Sequence, residues 1–185
     1  PMFSAEVVAK LLRSKRPNLL VGVPTLYEAL VRDPLLAKAD LSCLSATFSG
    51  ADTLPRPVKE RFEQLVAARG GRVKLLEGYG LTEAVTAIMA TPLDEYREGS
   101  IGIPFPDMLA KICRVGTEEA LAPGDEGEIC VAGPAVMLGY LDDAEAGPEA
   151  LRVHADGRTW LHTGDLGKMD ADGFFYFTVR LKRMI

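Results

Sequence analysis

The chain has 185 residues, 48% of them hydrophobic and 25% charged, with a formal net charge of -5. That is an ordinary composition for a soluble globular protein, long enough to bury roughly 70% of its unfolded surface. Lysine and arginine form no long cluster, which excludes nucleic acid as the main partner, and no apolar run reaches the roughly 20 residues of a membrane-spanning helix.

The first half alternates helical and extended signals. Val8, Leu11 and Leu12 follow Ser4 at helical spacing, and residues 18–23 read as a short buried strand. Thr25 with Glu28 has the spacing of a capping box, and Leu26 and Leu30 share one face of the helix it would open. Residues 45–49 predict a second strand that runs into Gly50-Ala51-Asp52. Pro55 and Pro57 then open a helix with Val58, Phe62, Leu65 and Val66 on one face, closed by Gly70-Gly71. Residues 73–76 and 86–90 predict further strands. Helices alternating with short apolar strands argue for an α/β layer with parallel pairing.

Beyond Leu93 the pattern changes to short β-type runs at 110–115, 127–132, 160–162 and 174–179, divided by the turn sequences Pro123-Gly124-Asp125 and Asp172-Gly173. The predicted organisation is an α/β unit over 1–97, a small β-rich, barrel-like unit over 98–178, and a terminal segment over 179–185. Cys43, Cys113 and Cys130 are widely spaced and odd in number, and His154 and His162 are the only histidines. No Cys-x-x-Cys or His-Cys cluster appears, so neither a zinc site nor a disulfide framework is expected, and a reducing, cytoplasmic setting fits. No basic-then-apolar leader opens the sequence, so export is not expected either.

Four segments carry candidate chemistry. In Ser49-Gly50-Ala51, small residues after a strand would let a flat ring lie against the main chain. Glu77-Gly78-Tyr79-Gly80-Leu81-Thr82-Glu83 puts a hydroxyl and a carboxylate after a tight turn: Thr82 could bond a phosphate oxygen, and Glu83 could share magnesium with phosphates. The plain alternative is a strand-to-helix turn in which Thr82 caps the helix. In Trp160-Leu161-His162-Thr163-Gly164-Asp165, an acidic residue after a glycine at a strand end could accept both hydroxyls of a ribose. The last segment, Val179-Arg180-Leu181-Lys182-Arg183, is basic; its plain alternative is a solvated tail. A P-loop is absent, since 164–169 reads Gly-x-x-Gly-Lys-Met, and neither Gly-x-Gly-x-x-Gly nor Gly-x-Ser-x-Gly occurs in the required context.

Taken in order, with Gly99-Ser100-Ile101-Gly102-Ile103-Pro104 and Gly133-Pro134-Ala135-Val136-Met137-Leu138-Gly139-Tyr140 between them, these segments resemble the adenylate-forming superfamily, most closely the acyl-CoA synthetases of the long-chain fatty acid–CoA ligase type. The resemblance implies a partial large domain of such an enzyme. It also implies ATP-dependent attack of a small-molecule carboxylate on the α-phosphate, giving an acyl-adenylate, then a thioester with coenzyme A. Gly50, Ala51, Gly78, Tyr79 and Gly80 would contact the nucleotide, with Asp165 and Arg180 on the ribose. Thr82 would contact phosphate, and Glu83 would hold Mg2+. Gly80, Ala84 and Ala87 would line the acyl site, and Lys182 would be the hinge.

The pattern departs from the family at Val179, where Asp or Gly commonly precedes the arginine. No Ser/Thr/Gly-rich phosphate loop precedes the first helix, and the sequence stops a few residues past the hinge. The expectation is therefore a fragment that would lack the N-terminal part and the small C-terminal domain of its parent, and would be inactive alone. A peptide-synthetase adenylation domain is the near alternative, disfavoured by Leu81 where those domains more often carry proline. A luciferase-like oxygenase and a non-catalytic nucleotide-binding or interaction module on the same fold are the others.

Overall fold

The computed structural model describes residues 4–141 and 150–181, and the chain divides into two units, one ending at Gly78 and the other beginning at Tyr79. In the first unit, α1 (Ala5–Lys15), α2 (Pro24–Leu30) and α3 (Arg56–Ala68) accompany three strands, β1 (Leu19–Gly22), β2 (Ala46–Ser49) and β3 (Leu75–Tyr79). β2 is central and pairs in parallel with β1 and β3, as expected for strands joined through helices. The core gathers Leu12 from α1, Tyr27 and Leu30 from α2, Phe62 and Val66 from α3, and Leu75 from β3. Tyr27 and Phe62 meet edge to face with ring centroids 4.8 Å apart, the geometry that the ring quadrupoles favour. The Tyr27 hydroxyl lies 2.6 Å from the carbonyl oxygen of Phe48 and 3.1 Å from that of Leu20, so one buried donor ties α2 to two strands.

Two local expectations differ from the structure. α2 begins at Pro24 with Val23 before it, and no side chain caps it. The fixed φ of proline starts the helix one residue early, which leaves Thr25 inside the first turn and Glu28 paired with Arg32 at 2.5 Å. β3 runs on to Tyr79, further than the apolar run predicts.

In the second unit, β4 (Met89–Ala90) and β5 (Ile103–Pro104) form a short antiparallel pair. β6 (Leu109–Cys113), β7 (Glu126–Ala132), β8 (Leu151–Val153), β9 (Thr159–Met169) and β10 (Phe175–Arg180) make an antiparallel sheet in the order β10-β9-β7-β6, with β8 also on β9. The strands expected as a barrel-like unit thus form an open sheet, with no closed barrel among the described residues. Closure needs more strands and a consistent stagger than this short set supplies. One face packs Ile112, Ile129, Val131, Leu161 and Phe175 into an apolar core with Ile88 and Met89. β9 is far longer than the predicted 160–162 run, because β7 and β10 pair with it on either side past Gly164.

A partly buried ion pair links α3 to β3: Lys59 Nζ lies 2.6 Å from Glu63 Oε1 and donates to the Leu75 carbonyl, while Glu63 accepts the Leu75 N–H at 2.9 Å. Burial pushes the Glu63 carboxyl up, but Lys59 and that N–H outweigh it and hold it below the ordinary carboxylate value. Its stabilising contribution is therefore full above the unfolded value of about 4.3 and lost as pH falls through the lower folded one. Glu63→Gln is expected to cost about 1–3 kcal/mol at pH 7. The gap to wild type in urea-unfolding midpoints should close with acidification; a gap that is flat with pH refutes this role.

Candidate functional site

The second unit brings Tyr79, Asp165 and Arg180 together. Asp165 lies within β9 rather than at a strand end, and only 4% of it is exposed. Its Oδ2 accepts a hydrogen bond from the Tyr79 hydroxyl at 2.7 Å, and its Oδ1 faces Arg180 Nε at 3.6 Å. Arg180 is its cross-strand partner in the β9–β10 ladder, a register that puts the two side chains within reach. Burial pushes the Asp165 carboxyl up, and the Tyr79 bond and the Arg180 charge oppose that. Burial and the nearby Asp165 charge both drive the Tyr79 phenol upward, so it stays a donor.

The turn before Asp165 is fixed from behind. Gly164 has φ +71°, a conformation that a side chain would strain. Its N–H donates to Glu128 Oε1 at 2.9 Å, and the Asp165 N–H donates to Thr163 Oγ1 at 3.1 Å. Thr163 in turn donates to the Ile129 carbonyl at 2.8 Å. Sequence reading passed over Glu128 and Thr163 as functional residues. Their signal is tertiary, since the Glu128–Gly164 contact joins residues 36 apart.

The 80–87 loop is strained. A Cβ at Gly80 would lie 1.4 Å from the Thr86 carbonyl oxygen, so only glycine lets the two backbones pass. Val85 and Thr86 have φ of 67° and 141°, which is costly for β-branched residues. Thr82 opens a single 3-10 turn, Thr82–Ala84, behind Leu81, and its side chain makes no cap; Thr82 and Ala87 are exposed, whereas Ala84 is fully buried in the core. Glu83 accepts the Tyr140 hydroxyl at 2.8 Å, and its carbonyl accepts the Met137 N–H at 2.8 Å. One carboxylate within reach of solvent can join a magnesium shell completed by water and phosphate.

In the first unit, Ala51 has φ 68°, and the Ser49 hydroxyl is buried without a partner. Gly50 is tied back by its N–H to the Gly22 carbonyl at 3.1 Å. Glu77 is half-buried; burial pushes its carboxyl up, with Lys59 and the Leu54 N–H opposing. Gly78 ends this unit, its carbonyl 3.3 Å from where a Gly50 Cβ would stand. Lys182 lies outside the described residues.

The pattern of these segments extends to known proteins. Residues 1–141 match the family of AMP-binding enzymes. The chain belongs to that family. The chain is 41% identical over 186 residues to a long-chain-fatty-acid–CoA ligase of Bacillus subtilis (strain 168), an alignment that covers 100% of the chain and 31% of the relative. It is 37% identical over 183 residues to a luciferin 4-monooxygenase of Nipponoluciola cruciata, covering 99% of the chain and 32% of that protein. Among solved structures, a long-chain-fatty-acid-CoA ligase from Archaeoglobus fulgidus superposes with a TM-score of 0.87 at 26% identity, over 97% of this chain and 37% of that one. The chain thus spans about a third of the length of these relatives.

Gly80→Ala is expected to destabilise the protein by about 3 kcal/mol, the upper end of ordinary overpacking. Gly50→Ala, whose Cβ would meet the Gly78 oxygen at 3.3 Å, should cost less. Thermal midpoints in the reverse order would contradict the close-approach reading.

Proposed function

We propose that this chain is part of an ATP-dependent carboxylate–CoA ligase, which forms an acyl-adenylate and then an acyl-CoA thioester. The observation that carries the reading is the buried Asp165 carboxylate, oriented by Tyr79 and faced by Arg180. A carboxylate is acceptor-only, and its two oxygens suit the paired hydroxyls of a ribose, the task acidic residues perform in dinucleotide folds. The Tyr79 hydrogen bond and the Arg180 charge favour its anion against burial, and Arg180 adds a donor beside it.

The remaining roles follow the family pattern residue by residue. Gly50, Ala51, Gly78, Tyr79 and Gly80 would contact the nucleotide, and Thr82 a phosphate oxygen. Gly80 and Ala87 would serve the acyl group of the acid, whereas Ala84, expected there too, is buried in the apolar core and would only back that loop; Lys182 would be the hinge. The unpartnered Ser49 hydroxyl and the αL backbone of Ala51 support a ligand-facing loop there, because strain and orphaned polar groups gather at binding sites. Glu83 would hold Mg2+, which supplies charge neutralisation of the phosphates. Coenzyme A is the acyl acceptor in this reading, and the parent acts in the cytoplasm. Units over 1–97 and 98–178 with a terminal segment from 179 remain the proposed division of labour.

Stabilising charge that develops on a polyphosphate is the dominant demand of adenylation, and this chain covers about a third of its relatives. Alone, therefore, it is expected to bind nucleotide weakly and turn over little. The 37% identity to a luciferin 4-monooxygenase supports a second reading, in which the same adenylation serves an oxygenase.

The test titrates Mg·ATP into the 185-residue chain and its Asp165→Asn variant. Loss of the charged acceptor is expected to weaken binding ~10–100-fold. Equal affinity of the two proteins removes the ribose assignment. Release of pyrophosphate from ATP and a panel of carboxylates by the chain alone would overturn its inactivity.

A further inference from the structure

The face of the β6–β10 sheet opposite its apolar core carries a second cluster of chemically active groups. β7 alternates Ile129 and Val131 into the core with Glu128 and Cys130 on the other side, and β9 does the same with Leu161 and His162. Glu128, Cys130 and His162 are 6%, 0% and 7% exposed. One carboxylate oxygen, one sulfur and one ring nitrogen from them lie within 4.8 Å of one another. His162 Nδ1 is 2.8 Å from Glu128 Oε2 and 3.5 Å from Cys130 Sγ. On the far side of the ring, His162 Nε2 is 3.0 Å from His154 Nε2. His154 is itself only 4% exposed, and its Nδ1 has no partner.

We propose that Glu128, Cys130 and His162 form a binding site for a thiophilic divalent cation of the zinc class, with His154 as the partner that fixes the His162 ring. The donor set is one thiolate, one imidazole and one carboxylate, the set such ions favour and magnesium does not. Bonds of about 2.0–2.3 Å on a tetrahedron place neighbouring donors roughly 3.3–3.7 Å apart. The sulfur–nitrogen spacing of 3.5 Å already meets that, the carboxylate–nitrogen edge of 2.8 Å has to open, and the sulfur–carboxylate edge lies within 4.8 Å.

Binding balances as follows. The Cys130 thiol gives up its proton to solvent and the sulfur bonds the cation. The proton that His162 Nδ1 shares with Glu128 Oε2 shifts to Nε2, which frees the Nδ1 lone pair for the cation, and His154 keeps its own proton on Nδ1 so that its Nε2 lone pair accepts from His162 Nε2–H. A ligating histidine commonly uses its other N–H in this way, which sets tautomer and orientation. The doubly charged cation meets one carboxylate and one thiolate, so the buried site is neutral overall, which removes the cost of an isolated interior charge. Three protein donors leave the fourth position to water, as in open zinc sites. Glu128 Oε1 keeps its bond from the Gly164 N–H, so the cation would brace the turn that presents Asp165. The site does not depend on the nucleotide reading.

The probe is Co2+ alone, added to the metal-free 185-residue chain. A thiolate-to-cobalt charge-transfer band at one equivalent is expected, with visible bands of tetrahedral intensity, displaced by Zn2+ and untouched by Mg2+. Cys130→Ser should abolish the charge-transfer band, Cys43→Ser should retain it, and His154→Phe should weaken affinity ~10–100-fold. Should Cys130→Ser fail to fold, the wild-type chain serves: Zn2+ should protect Cys130 from a thiol reagent, mapped by mass spectrometry, and raise the thermal midpoint. Absence of the band in wild type, its survival in Cys130→Ser, its loss in Cys43→Ser, or no protection of Cys130 each overturns the proposal.

Discussion

Much of the second unit is organised by the need to keep one carboxylate charged inside a sheet. Asp165 sits in an eleven-residue strand paired on both sides, where removal from water disfavours its anion. Two groups work against that cost, a phenol from the end of β3 and a guanidinium from the facing register position of β10, although burial still holds the carboxyl above its ordinary value, and the Thr163 hydroxyl fixes the local backbone. Glu128 then holds Gly164 from behind. Removing any one partner leaves a buried charge short of compensation, so the geometry around Asp165 is cooperative rather than a set of separate contacts.

The loop from Gly80 to Ala87 illustrates a second way of storing function in a fold. Two β-branched residues in succession occupy positive φ, and the main chain of Gly80 runs against that of Thr86 with no space for a side chain. Such conformations persist only when the surroundings over-determine them. Here Ala84 and Ile88 anchor the loop in the apolar core, and the Ile88 N–H bonds back to the Tyr79 carbonyl at 2.9 Å. The exposed hydroxyl of Thr82 and the carboxylate of Glu83 are thus carried on a rigid support, which suits groups that must meet a ligand with little loss of entropy.

How much of this was legible beforehand varies with the range of the interaction. The α/β alternation of the first unit, α3 with Val58, Phe62 and Val66 buried, and the β-type runs after Leu93 were readable, because periodicity and turn residues are local. The family was readable too, since ordered short motifs persist along the chain, and the match over residues 1–141 bears that out. The capping box at Thr25 was misread because Pro24 starts the helix first. The barrel became an open sheet, and Asp165 moved from a strand end to mid-strand, because both depend on which strands find each other.

By itself, then, the sequence determined the family, the alternation of elements and the identity of the chemically capable side chains, all carried by neighbours within a few residues. Only the tertiary structure decided which of those side chains meet. Tyr79 reaches Asp165 across 86 positions, and His162 reaches Glu128 across 34 and Cys130 across 32. The spacing of cysteines and histidines along the chain gives no sign that His162 meets Glu128 and Cys130, because strand register rather than sequence proximity brings them together. Pairing register is set by the packing of whole strand faces, a property that no local window of residues contains.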